Sequence, residues 1–488
     1  MVRKWQVLVA VCFGTYLATM DFSIVNVALP TLAEDFDTSP DRVVWTTLIF
    51  SLAVTGLTLT AGRAGDLWGR KRLYLVGWAI FSVGLLASGL AGSLAELLVG
   101  RIIQSVGAAF IMATGNALIT SAFPDFERGR ALGTSGAVVG AGLMSGPLLG
   151  GVILEAFDDW QAIFLLRVPA GLVAFLVAYF VIHESSHDQP ASGRLDIPGA
   201  MTLFAAMTST LFALNQGHSL GWSSPVIATL FAVGAVLFVG FMLIERRASS
   251  PVVALNLFRV RSYSVGVVSL ALSFAGQATT IFLMPFYLIA VRDYSTTHAG
   301  LIITTIPAMM LLLSPVSGYI SDRFRIRHQT TVGITMVSVG LFSLSTLGPD
   351  TPDALVVMRL LVIGIGIAIF MSPNSSQIMG SVPRSMLGTA SASVATSRNI
   401  GNSTGLAVAS TVVVVVAGNS ANLGSVQNLG DLPRDALLDG LRAAFFAAGA
   451  ISATAIAASL FRSDSDRAPE LDPLGPAAKP ADSQNPVG

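Results

Sequence analysis

The sequence predicts an all-α integral membrane protein with fourteen transmembrane helices, on three observations. Of 488 residues, 53% are hydrophobic and 11% charged, under half the roughly 25% charge of an average soluble chain. Apolar runs of the ~20 residues that carry a helix across the hydrocarbon core recur fourteen times. Lys and Arg gather on alternate loops, as the positive-inside rule requires of short cytoplasmic connections.

Taken in order, the spans are expected at 6–30, 44–62, 74–92, 97–121, 131–153, 161–182, 198–216, 226–244, 264–290, 298–320, 329–347, 354–379, 388–416 and 442–461. The first follows Arg3 and Lys4 as a signal peptide would, but it is too long for a signal core and runs into the acidic stretch Glu34 to Asp41 without a cleavage pattern. It therefore counts as a helix. With the N-terminus inside, 20 of the 28 basic residues fall on the cytoplasmic side, and only Arg42, Arg292, Arg434 and Arg442 lie outside. The other four, Arg101, Arg167, Arg359 and Arg398, lie inside spans, and Asp21 is the one acidic residue that does. Adding or losing a span would scramble this asymmetry, so both termini are expected in the cytoplasm of a cell that keeps the protein in its plasma membrane.

Composition excludes other classes. A formal net charge of zero leaves no basic field for nucleic acid. The single cysteine, Cys12, permits neither a disulfide framework nor a thiolate metal cluster. Residues 463–488 are rich in Pro, Ala and Asp without apolar periodicity, which reads as a disordered cytoplasmic tail.

The chain also repeats. Gly62-x-x-x-Asp66 at the end of helix two recurs as Gly318-x-x-x-Asp322 at the end of helix ten, Leu132-Gly133-Thr134 recurs as Leu387-Gly388-Thr389, and Arg101 matches Arg359. Three markers in order at one offset predict two six-helix halves, residues 1–185 and 263–462, with helices seven and eight inserted in a linker region, 186–262. Repeated bundles with a site at their interface are the plan of an alternating-access transporter.

Four motifs carry a family resemblance. Gly62-Arg-Ala-Gly-Asp66-Leu-Trp-Gly69-Arg70-Lys71-Arg72 looks like the motif A loop of the major facilitator superfamily. Leu98-x-x-Arg101-x-x-Gln104-x-x-Gly107 resembles its motif B, and Gly142-x-x-x-Gly146-Pro147-x-x-Gly150-Gly151 resembles the antiporter motif C. Asp21-Phe-Ser-Ile-Val-Asn26-Val-Ala-Leu-Pro30 resembles the first-helix signature of the fourteen-span drug:proton antiporter branch. The resemblance covers residues 1 to about 461 and implies proton-coupled export of small amphipathic compounds or antibiotics by a monomer in the bilayer, driven by the proton gradient with no bound cofactor or metal. The runner-up is a transporter of one metabolite, peptide or lipid, and a membrane sensor or scaffold is the reading from another class. One departure stands in motif A: the basic residue usual after the Asp is Leu67 here.

Each motif has a physical reading. Gly62 and Gly69 permit a tight turn between close-packed helix ends, while Asp66 and the cluster Arg70, Lys71 and Arg72 offer charge-assisted bonds across the bundle interface. Asp322 with Arg323 and Arg327 repeats the arrangement in the second half. The motif C glycines strip side chains from one helix face so that a partner approaches closely, and Pro147 removes one helix hydrogen bond.

Asp21 lies ~22 Å along helix one from Gln6 at 1.5 Å per residue, at a depth similar to Arg101 and Arg167. Burial disfavours a charged carboxylate while a nearby arginine favours it, opposed effects that suit a proton-coupling site formed by Asp21 and Arg101. Arg167 stands where an Asn is expected in this branch. With Asn26 and Arg398 it is assigned to the substrate cavity, where the two cations would favour an anionic or zwitterionic substrate.

Two other chemistries are rejected. His183-Glu184-Ser185-Ser186-His187 spells a zincin motif, but it leaves the membrane beside Asp188 and Pro190 as a polar linker. No lysine sits in a phosphate-binding loop, so ATP does not drive the cycle.

Overall fold

The computed structural model describes residues 2–183, 193–248, 250–324, 326, 328–420 and 432–460. Arg327, the acidic centre of the rejected zincin motif and the expected disordered tail lie outside these residues. Among the described residues there is helix and no strand. A helix satisfies its backbone within itself, which lipid demands of any spanning segment.

The helices are α1 (Val2–Asp35), α2 (Trp45–Trp68), α3 (Arg70–Gly89), α4 (Leu94–Ala122), α5 (Arg128–Phe157), α6 (Gln161–Val181) and α7 (Ile197–Leu220). They continue as α8 (Pro225–Glu245), α9 (Arg261–Val291), α10 (Thr296–Phe324), α11 (Gln329–Leu344), α12 (Asp353–Gly380), α13 (Leu387–Ser420) and α14 (Arg434–Leu460). Every expected span falls on one of them. Thirteen are long and apolar enough to cross a membrane. The other, α11, has 16 helical residues, about 24 Å at 1.5 Å per residue, and turns through Ser345 and Leu347 extend it.

Local chemistry sets several ends. Ser93 accepts from the Glu96 N–H at the start of α4, while the Glu96 carboxylate accepts from the Gly92 N–H, so two otherwise orphaned donors are paired. Asp196 caps α7 through the Gly199 N–H, and Ser295 caps α10 through the His298 N–H. Gly69 makes the two-helix corner between α2 and α3 with φ of 95°, a conformation costly for any residue with a Cβ.

In the first half, α1 packs along α5, and α3 along α4; in the second, α9 packs along α13, and α11 along α12. The halves meet through two seams, α5 against α10 and α2 against α13. The inserted pair α7 and α8 pack on each other, and α7 also touches α2 and α13, so the pair flanks the second seam. At one end Arg63 of α2 donates to Ser250 after α8 (2.8 Å), which ties the insertion to the first half.

The start of α5 belongs to the seam and its far part to the bundle. Gly129, Gly133 and Gly140 face α10, whereas Gly142, Gly146 and Gly150 face Tyr16 to Val27 of α1. These last three, spaced four apart, line one helix face, and the Ser23 hydroxyl occupies the room beside Gly146. Gly151 faces open space and Pro147 is exposed within an unbroken helix.

Candidate functional site

Three features stand out: a charge cluster buried within the first half, and at the join of the halves a cavity and a pair of latches.

The cluster forms around Asp21, whose side chain is fully buried in α1. Arg101 and Gln104, three residues apart on α4, share a face and both reach it. Arg101 Nη1 donates to Asp21 Oδ2 at 2.7 Å, and Gln104 Nε2 donates to Oδ1 at 2.8 Å. Arg167 of α6 donates to Oδ1 as well. Other donors of the two guanidinium groups bond nearby: Arg101 Nε donates to the Thr46 carbonyl (3.0 Å), Arg101 Nη1 to Gln104 Oε1 (2.7 Å), and Arg167 Nε to the Ile163 carbonyl (2.7 Å), while Arg167 Nη2 is buried without a hydrogen-bond partner. Small residues seat α4 on α3 behind the cluster: Gly100 packs on Ser88 and Gly107 on the Phe81 backbone. One carboxylate thus holds two guanidinium groups.

Aromatic rings enclose them. The Arg101 guanidinium lies 4.1 Å from the centroid of Phe50, and Arg167 lies 5.4 Å from that of Phe164, cation–π contacts that soften the excess positive charge. Phe50 in turn meets Phe22 edge to face, 5.0 Å between centroids.

Phe22 is also a wall of the cavity. This space of about 570 Å³ lies between the halves, lined by Thr19, Phe22 and Ser51 from the first half and by residues of α9 and α13 from the second. Two rings, Phe22 and Phe50, therefore separate the cavity from the charge cluster. On α13 the lining runs Arg398, Asn399, Asn402, Ser403 and Leu406, a stripe with helical spacing. Beside it, α9 contributes Phe274, Phe282 and Phe286, the last at the start of a π-turn that follows Pro285. A smaller space of about 40 Å³ continues inward past Arg398, between Thr15, Asn116, Ser135 and Ser375.

The latches close the end away from the larger cavity. Asp66 at the end of α2 accepts from the Gly388 and Thr389 N–H groups at 2.7 and 2.8 Å and from the Thr389 hydroxyl at 3.0 Å. Those amides open α13, so the carboxylate caps a helix of the other half and meets the positive end of its dipole. Asp322 at the end of α10 does the same to α5, accepting from the Gly129 and Arg130 N–H groups at 2.9 and 2.7 Å. Gly62 lies against Gly388, and Gly318 against Gly129, because a Cβ at any of these would strike the facing backbone. The repeat is thus present in the geometry, but its register differs from the sequence match: Gly129 and Arg130, one turn before Leu132-Gly133-Thr134, are the counterparts of Gly388 and Thr389.

Several expected residues stand elsewhere. Gly62 serves close approach within α2, and only Gly69 serves the turn. Of the three basic residues after it, Arg70 alone reaches across, pairing with Asp66 (3.0 Å) and donating to the Arg384 carbonyl. Lys71 sits 5.5 Å from the Tyr179 ring of its own half and Arg72 is exposed. Arg323 is exposed beside Asp322. Asn26 is exposed, bonds the Phe22 carbonyl (3.3 Å), and is absent from both cavity linings. Arg167 is absent from them too, because Asp21 holds it, so only Arg398 of the two expected cations faces the cavity.

Sequence reasoning passed over Gln104 as a direct partner of Asp21, although it stood in the quoted motif, and passed over Asn399, Asn402 and Ser403. Their signal was a polar stripe at one-turn spacing beside Arg398 in an otherwise apolar span. Among the described residues, no three His, Cys, Asp or Glu side chains are placed to hold a metal ion.

The family model for the Major Facilitator Superfamily matches residues 11–406. The chain is 35% identical over 412 residues to the riboflavin transporter RibZ of Clostridioides difficile (strain 630), covering 83% of this chain and 88% of that protein. It is 29% identical to the tetracenomycin C resistance and export protein of Streptomyces glaucescens, over 97% of this chain and 94% of that one. The solved structure of the proton:xylose symporter XylE superposes with a TM-score of 0.61 at 15% identity, covering 93% and 95% of the two chains.

Proposed function

The chain belongs to the Major Facilitator Superfamily, and from that premise we propose that it exports small amphipathic compounds in exchange for protons. It is a multi-pass membrane transporter and not an enzyme. The observation that carries the coupling is the Asp21 cluster: the one carboxylate well inside a span, wholly buried, and two rings from the cavity.

With the latch end toward the cytoplasm, as the basic residues lead one to expect, the present form is closed inward and its cavity lies toward the outside. Protonation of Asp21 removes the charge that holds Arg101 and Arg167, and the three helices they join, α1, α4 and α6, lose a common anchor. Release of that anchor lets the first half rock, the Asp66 and Asp322 caps part, and the cavity opens to the cytoplasm. Substrate entry and proton release then restore the anchor. Alternating access about a site at the bundle interface needs these three parts: a cavity, a closing device and a charge that changes state. A relative named as an antibiotic export protein supports the outward direction, while one named as a riboflavin transporter supports a narrower substrate.

The test is accumulation of a fluorescent amphipathic dye, and separately of riboflavin, in inside-out vesicles under an imposed proton gradient. Wild type is expected to accumulate at least one of them, and Asp21→Asn or a protonophore to abolish it. Accumulation that survives Asp21→Asn would remove Asp21 from the coupling step and leave the transporter intact.

A further inference from the structure

We propose that the transported compound is an organic anion with an aromatic body, held head-first by Arg398. The inference rests on the transport reading above and names its substrate class.

Arg398 is the one charged residue among those that line the larger cavity, and it has no ion pair among the described residues. A guanidinium ~16 Å along α13 from Leu387 is far from the ends, and a cation at that depth calls for an anionic partner. Among the described residues no free carboxylate meets it. Asp21 is the carboxylate nearest in depth, and it is already occupied by Arg101, Gln104 and Arg167. In the second half the acidic residues of the spans, Asp322, Asp353, Asp435 and Asp439, sit at helix ends. The counter-charge that would complete the site is therefore the substrate's.

The surroundings fit such a head. Asn399 Nδ2 is buried without a hydrogen-bond partner, and Asn402 and Ser403 follow it along the cavity face of α13. Together with the guanidinium they present several donors to an acceptor-rich group such as a carboxylate or sulfonate. The rest of the cavity suits a planar apolar body, with Phe22, Phe274, Phe282 and Phe286 on its walls. A volume of about 570 Å³ falls in the range of sites for drug-sized ligands. Arg398 borders both the larger cavity and the inner 40 Å³ space, so it forms the floor, and the apolar body extends toward Pro285 and Phe286 at the far end. A lipophilic cation in the same place would meet an uncompensated positive charge.

The experiment measures binding of three probes with one aromatic body, using the full chain in lipid nanodiscs: naphthalene sulfonate, neutral naphthalene sulfonamide and naphthyl trimethylammonium. Wild type is expected to bind the sulfonate about ten- to a hundred-fold more tightly than the cation, the range that a hydrogen bond to a charged group provides. That ratio should collapse in Arg398→Gln and persist in Arg398→Lys, with unchanged elution and melting midpoint showing that both variants are folded. Equal affinities in wild type, no saturable sulfonate binding, or a sulfonate preference that survives Arg398→Gln would each overturn the proposal. Transport of the same probes in inside-out vesicles separates the two claims. Selective binding without proton-driven accumulation refutes the transport reading alone, and accumulation of the cation in preference to the sulfonate refutes this one alone.

Discussion

Removing the Asp66 carboxylate tests the closing device most directly. In Asp66→Ala the Gly388 and Thr389 N–H groups lose the acceptor that now lies 2.7 and 2.8 Å away. A hydrogen bond to a charged group contributes ~1.5–3 kcal/mol net of its exchange with water. Two such bonds across the seam therefore favour the closed end by about 3–6 kcal/mol, and the site is dry enough, with Asp66 4% exposed, that screening takes little of it. At about 1.4 kcal/mol per tenfold, the closed-to-open ratio falls by about two to four orders of magnitude. Inverting a population from about 1:99 to 99:1 takes about 5.5 kcal/mol, so the single variant reaches a mixture and loss of both carboxylates reaches the open form. The assay is the distance between spin labels on cysteines placed at Trp68 and Phe324, exposed residues at the latch end of the two halves, with the buried native thiol removed by Cys12→Ala. A longer distance should appear in Asp66→Ala and dominate in Asp66→Ala with Asp322→Ala. Unchanged distances in the double variant would show that these carboxylates do not hold the end shut.

Other outcomes follow from the same contacts. Gly146→Ala drives a methyl group into Ser23 and should lower stability by about 1–3 kcal/mol, read as the melting midpoint; Ser23→Ala in the same chain should recover only part of it, because the Ser23 Cβ and the Ile24 backbone still crowd the new methyl group. Arg101→Gln breaks a buried pair and should cost about 3–5 kcal/mol. Arg167→Asn should cost less because Arg101 still balances Asp21, and it should leave substrate preference unchanged; a greater loss than Arg101→Gln would contradict the cluster as described. Phe50→Ala removes a ring that is 1% exposed and should destabilise by about 3–5 kcal/mol. It should also let an imposed proton gradient decay without substrate, whereas a tight gradient would show that the ring does not seal Asp21.

The sequence reveals depth better than direction. Counting 1.5 Å per residue places Asp21, Arg101 and Arg167 in one layer, and the structure joins all three. Helical phase is harder to read across fourteen nearly all-apolar spans. Asn26 follows Asp21 by five residues, about 140° round the helix, and so shares neither its partners nor the cavity. An arginine inside a span reads the same whether a carboxylate or a cavity faces it, which is why Arg167 and Arg398 look alike in sequence and differ in place. Lys71 and Arg72 follow Arg70 at about 100° steps, leaving one of the three able to point at the seam. The second latch was visible as a repeat, but its register was not, because the receiving groups are backbone amides that leave no side-chain signature.

That last property bears on how such a clasp tolerates change. Each carboxylate closes on the start of a helix, and the receiving surface is mainly main chain with a glycine beside it. Drift in most side chains around the receiving end leaves the amide donors where they were, so beyond an Asp and a pair of glycines per seam only the Thr389 hydroxyl, in one of them, adds a side-chain donor. Leu67 illustrates the latitude: it turns inward toward Gly193 of the inserted segment, and Asp66 beside it still makes every bond of its cap.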